Sequence, residues 1–194
     1  VLRKASLLIV DGQIDSIFED GTQHDVPDDC EIIDVADKIV SPGFVNTHFH
    51  AWMTAYRTMT PDITSTHYLD WLAPAGETAR KAFSAEGVYW SALEGFLEGL
   101  NGGVTTVLDH DHACWSSEVM KNGYQAALDS GARVWWCSEP QKNIDGFNVA
   151  QQWNALQTVA EDGERNDLMS LGLSYQGLAG AKGEEFETVR RMIR

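Results

Sequence analysis

Residues 40–50 read Val40-Ser41-Pro42-Gly43-Phe44-Val45-Asn46-Thr47-His48-Phe49-His50. Pro42-Gly43 punctuates the chain. Behind it Phe44 to Thr47 forms a short apolar strand, closed by His48 and His50. Side chains at i and i+2 of a strand share a face. The strand reading therefore sets two imidazoles side by side at its carboxyl end.

The chain reads differently on the two sides of Pro42-Gly43. Upstream, short strands are expected. Ser6 to Val10 is apolar and partly β-branched, and Gln13 to Phe18 alternates. Asp11-Gly12 between them is a hairpin signal, because both residues tolerate φ > 0. Glu31 to Val35 and Lys38 to Val40 read as two further strands. Downstream, strands alternate with helices. A short helix is expected around Tyr68 to Leu72. Ser84 reads as an N-cap, followed by Val88, Ala92, Leu93, Phe96, Leu97 and Leu100 at helical spacing. Asn101-Gly102-Gly103 stops that helix. Val104 to Asp109 is the next strand, and Ser116 or Ser117 caps the next helix, which ends at Ser130-Gly131. Arg133 to Cys137, a helix from Asn148 to Glu161, the strand Met169 to Leu173 and a helix from Glu184 to Arg194 complete the series.

Four strand–helix units in succession imply a parallel sheet with right-handed crossovers. Two architectures satisfy this: a doubly wound open sheet, and a (β/α)₈ barrel. Four units make half of a barrel, which takes about 250 residues.

The 194 residues carry 14 basic and 29 acidic side chains, a net charge of −15. Such a field repels phosphate backbones and anionic lipid, which excludes nucleic acid and membrane surfaces as partners. The three cysteines are far apart, without a C-x-x-C spacing. That excludes a disulfide framework and fits a reducing, cytoplasmic compartment.

Four of the six histidines fall in two tight pairs, His48 with His50 and His110 with His112. Each pair closes a strand at the end where α/β folds build their sites. Two imidazoles supply half of a tetrahedral metal site. The plainer reading is that histidines at strand ends are structural, and a lone H-x-H does not separate the two. Asp109-His110-Asp111-His112 is a candidate second metal site or, better, a lining of a substrate pocket through His110. Gln176, after the fourth strand, is a candidate to hydrogen-bond a ring nitrogen of a substrate, the plainer reading being a loop amide without a role. Trp135 and Trp136 face opposite sides of their strand, so one belongs to the core. Gly177 to Gly183 is glycine-rich but lacks the P-loop pattern.

The stretch ending at His50 resembles the signature of the amidohydrolase superfamily, in which a Pro-Gly-Phe/Leu-Val/Ile-Asn/Asp-x-His-x-His segment forms the first barrel strand. Leu8 to Ile14 resembles the family's N-terminal strands, and Gly103 to Asp109 its second barrel strand. Asp70-Trp71-Leu72 resembles the helix after the first strand in the cytosine-deaminase and chlorotriazine-hydrolase branch. The resemblance implies the first half of a (β/α)₈ barrel over residues 43–194, preceded over residues 1–42 by part of a small β-sandwich. It implies a metal-dependent hydrolase of non-peptide carbon–nitrogen bonds, in which a metal-activated hydroxide deaminates or dechlorinates a heterocycle or nucleobase-like small molecule. His48 and His50 map onto two metal ligands, with zinc the first choice of divalent ion and iron the second. Trp71 maps onto an aromatic residue over the substrate ring. The remaining ligands and the proton-transfer aspartate belong to later strands, which would lie beyond Arg194. The expectation is an N-terminal fragment, inactive alone, of a parent that is a candidate homo-oligomer. A doubly wound binding module and a truncated non-catalytic paralogue are the other readings.

Overall fold

The computed structural model describes residues 4–19, 26–57, 64, 78, 80–142 and 144–174. The chain divides into two compact units, Val1–Ser41 and Pro42–Arg194.

In the first unit, β1 (Ala5–Val10) and β2 (Gln13–Glu19) form an antiparallel hairpin in which Val10 faces Gln13. Asp11 and Gly12 take φ of 50° and 74°. Two successive left-handed residues match the right-handed twist of the strands they join. The strands expected at Glu31–Val35 and Lys38–Val40 do not form. The Lys38 N–H bonds back to the Val35 carbonyl at 3.0 Å, across Asp37 at φ 59°. Ile39 is left 95% exposed. A strand exists only by pairing, and no described strand pairs with residues 31–40. Of the expected sandwich strands, the hairpin alone is present among the described residues.

The second unit is a parallel sheet with helical connections. Its strands are β3 (Phe44–Phe49), β4 (Val104–Asp111), β5 (Arg133–Ser138) and β6 (Met169–Leu173), hydrogen-bonded in the order β3-β4-β5-β6. The order follows the chain, without the reversal that marks a doubly wound sheet. A 3₁₀ helix (Ala51–Tyr56) and α1 (Ala85–Asn101) connect β3 to β4. Helices α2 (Ser117–Asp129) and α3 (Val149–Asp162) make the next two crossovers. The caps at Ser84 and Ser116 are among those the sequence signals, and Asn148, read as the first residue of its helix, is its cap. Ser84 accepts from the Gly87 N–H, Ser116 from the Val119 N–H, and Asn148 forms a reciprocal capping box with Gln151.

The core lies between the sheet and these helices. Val88, Ala92 and Phe96 of α1 and Val119, Tyr124 and Ala127 of α2 cluster with Val107, Val134 and Trp136 of the strands. Trp136 is fully buried and Trp135 is 57% exposed, which resolves the tryptophan pair. Gly123 marks the closest approach of α2 to the sheet. A Cβ there would stand 2.4 Å from Asp111 Oδ2. All three cysteines are free. No described helix is long and apolar enough to cross a membrane.

Candidate functional site

The histidine pairs meet because β3 and β4 are neighbours in register, with Phe49 opposite Asp109. Both strands run further than their apolar patterns, so His48 lies inside β3 and His110 inside β4, with His50 and His112 just beyond the strand ends. The His48 ring lies 4.9 Å from His50 and 4.8 Å from His110. His50 lies 4.7 Å from His112 and 6.0 Å from His110. His50 Nδ1 is 2.7 Å from the His110 carbonyl oxygen. A carbonyl only accepts, so Nδ1 carries the proton and Nε2 keeps a lone pair. This is the outer hydrogen bond that orients a metal-ligating imidazole.

Burial lowers the His50 pKa, and His48 and His110 nearby lower it further against the opposing carbonyl bond and Glu139. Burial brings His112 down to about 4, assisted by His50 and His110. Both rings are therefore neutral near pH 7, the form that binds metal. His112 also packs edge-on against Trp52, at 5.0 Å.

The carboxylates of the Asp109-His110-Asp111-His112 run do other work. Both aspartates are buried, on the alternate positions of β4 from the half-buried His110. Asp109 Oδ1 accepts the Ala51 N–H at 2.9 Å, which pins the turn after His50 to β4. Asp111 Oδ1 accepts the Ala113 N–H and its Oδ2 the Trp136 indole N–H, both at 2.8 Å. Burial raises the pKa of both acids, Asp111 to about 6, with the Asp111 charge raising Asp109 further. Among the described residues, no three histidine, cysteine, aspartate or glutamate side chains are arranged to hold an ion. His48 and His50 are a pair of neighbouring rings, and the buried aspartates of the run bond to backbone and indole N–H groups.

Two further residues converge on the imidazoles. Ser174, directly after β6, places its Oγ 2.7 Å from His110 Nδ1. It also lies 3.2 Å from Oε2 of Glu139, a buried residue directly after β5. Ser174 thus stands at the same end of the sheet as His110, and the sequence reading passes over Glu139. Its only signal was its place one residue past the third strand of the sheet. Trp71 and Gln176 lie outside the described residues, as do His24, His67, the expected helices around 68–72 and 184–194, and the 177–183 loop.

The profile of the amidohydrolase family matches residues 39–168. Over 149 residues the chain is 34% identical to the 5-methylthioadenosine/S-adenosylhomocysteine deaminase of Acetivibrio thermocellus, a match covering 75% of this chain and 32% of that protein. It is 31% identical over 158 residues to the 5'-deoxyadenosine deaminase of Methanosarcina mazei, covering 78% of this chain and 34% of that one. The chain thus spans about a third of the length of these relatives. Among solved structures, a zinc-complexed atrazine chlorohydrolase from Arthrobacter aurescens TC1 superposes with a TM-score of 0.68 at 22% identity, over 97% of this chain and 45% of that one. A guanine deaminase from C. acetobutylicum with bound guanine gives a TM-score of 0.68 at 15% identity, over 88% and 41%. These two likenesses are of fold.

Proposed function

The chain belongs to the amidohydrolase family, and from that membership we propose that it carries one part of the active site of a metal-dependent hydrolase, which removes an amino or chloro substituent from a heterocyclic, nucleobase-like small molecule. In this reading residues 43–194 supply the first four strand–helix units of a (β/α)₈ barrel, and residues 1–42 belong to an accompanying β-structure. His48 and His50 hold a divalent ion, zinc before iron. The further ligands and the proton-transfer carboxylate come from the fifth to eighth strands of such a barrel. A cytoplasmic protein and a homo-oligomeric assembly complete the reading.

The observation that carries it is the His50 hydrogen bond. The His110 carbonyl accepts a hydrogen bond from Nδ1–H, so the lone pair is on Nε2, in a ring beside His48. The donor chemistry fits zinc, which imidazole nitrogen ligates in structural and catalytic sites alike. A bound zinc would supply Lewis acidity, lowering the pKa of a water molecule toward neutrality. The chain's own contribution is orientation. Asp109 fixes the turn that carries His50, β4 supplies the carbonyl, and burial favours the unprotonated His50 ring. Trp71 and Gln176 complete the proposed substrate contacts, with His110.

Zinc titration followed by calorimetry tests the assignment. His48→Ala and His50→Ala should each weaken zinc binding at least tenfold, because each removes a direct ligand. His110→Ala should leave the affinity within about threefold. Unchanged affinity in His50→Ala would refute the site and favour a binding module with structural histidines.

A further inference from the structure

Glu139 is 3% exposed, and a buried carboxylate is costly unless its oxygens are satisfied. Its position follows from the sheet register. Asp111 pairs with Ser138 and Ser138 with Leu173, so the residues just past β5 and β6 gather beside the end of β4. The Glu139 N–H bonds to the Asp111 carbonyl at 2.8 Å and the Ser174 N–H to the Ser138 carbonyl at 2.9 Å. Backbone ladders thus carry Glu139 and Ser174 to the His110 ring. Gln141 Nε2 stands 3.4 Å from Glu139 Oε1, and Ser174 Oγ stands 3.2 Å from Oε2.

A serine hydroxyl has one proton, and a carboxylate can only accept it. Ser174 therefore donates to Glu139 and turns a lone pair toward His110 Nδ1, 2.7 Å away. The His110 proton must then sit on Nδ1. Its Nε2 keeps a lone pair and has no hydrogen-bond partner among the described residues, beside a His48 ring at 4.8 Å.

We propose that Glu139 and Ser174 are positioning residues that lock His110 in the Nδ1–H tautomer, so that its Nε2 accepts a hydrogen bond from an N–H group of an amino-substituted heterocycle. The opposite tautomer would present a donor and could not accept from an amino group. The tautomer follows from the hydrogen bonds alone, and its use for substrate rests on the function proposed above.

The test is ¹⁵N NMR of the histidine rings in this chain, with His110 assigned by His110→Gln. Wild type should show His110 mainly as Nδ1–H. Ser174→Ala should lose that predominance, and Ser174→Thr, which keeps the hydroxyl, should restore it. A wild-type His110 protonated on Nε2 overturns the relay even if no variant folds, and so does a tautomer indifferent to Ser174→Ala. 9-Methyladenine, whose only N–H donors are those of its amino group, should shift the His110 Nε2 resonance more than 9-methylpurine, which has none; an equal or reversed response overturns the acceptor role. Zinc added to the same sample reads His48 and His50 separately. Failure there removes the proposed metal site and leaves the relay standing, whereas a wrong His110 tautomer removes the relay and leaves the metal site.

Discussion

The two compact units treat their apolar residues in opposite ways. In the hairpin unit, Ile9, Ile14 and Ile17 are each more than half exposed, and among the described residues the strands pair only with each other. In the parallel unit, Phe96, Met120 and Trp136 are buried almost completely between sheet and helices. Two strands make a marginal structure on their own. The hairpin therefore owes its shape to a local device, the left-handed pair Asp11-Gly12. The parallel sheet has no such device between its strands, since each crossover spans tens of residues, and it owes its shape to burial. Burial also lets the second unit keep charged groups inside. Asp109, Asp111 and Glu139 are enclosed, and the hydrogen bonds they accept hold the chain around the imidazoles.

The largest test of this contrast is Trp136→Ala. It removes the largest fully buried side chain and leaves Asp111 Oδ2 without its indole donor. The expected loss is roughly 3–5 kcal/mol, read by urea unfolding of the parallel unit. Ile14→Ala in the hairpin should change the same measurement by no more than about 0.5 kcal/mol. Comparable losses would erase the distinction between the units.

A smaller effect concerns the charges the core encloses. Asp111 is raised from 3.8 to about 6, chiefly by burial. A folded pKa above the unfolded one means that the native state holds the proton more tightly. The associated stability is full below the unfolded pKa and is lost as pH rises through about 6. Asp111→Asn cannot ionise and lacks this loss. The stability of wild type minus that of Asp111→Asn should therefore fall by on the order of 2 kcal/mol between pH 4 and pH 6. Urea titrations at several pH values measure it, and a pH-independent difference would show that Asp111 does not titrate in this range.

The smallest effect belongs to the hairpin turn. Gly12→Ala places a side chain at φ 74°, at a cost of about 1 kcal/mol. Amide exchange in β1 and β2 should quicken about fivefold, while exchange in β5 stays unchanged. A change in β5 would mean that the hairpin and the sheet unfold together.

What could be read in the residues beforehand follows the same division. The hairpin turn and the caps at Ser84 and Ser116 were legible because each depends on neighbours a few positions away, and Met169–Leu173 was legible from its composition. Phe44–Thr47 and Val104–Asp109 were found but drawn short, each stopped where a histidine, His48 or His110, interrupts the apolar pattern. Glu31–Val35 and Lys38–Val40 have strand composition but no described partner, and composition cannot supply one.

The sequence by itself determined the alternation of strands and helices, where the helices begin, and the His48–His50 pair at a strand end. Each is a matter of short-range stereochemistry and periodicity. Only the tertiary structure decided the remainder of the site. The Asp109 contact to Ala51 spans 58 residues, the His50 contact to His110 spans 60, and the His110 contact to Ser174 spans 64. Which proton a histidine carries, and which carboxylate is buried, depends on groups that no local pattern brings together. The parallel register does so, by ending its strands side by side, where backbone ladders fix the distances and exclusion of water makes each remaining polar contact matter.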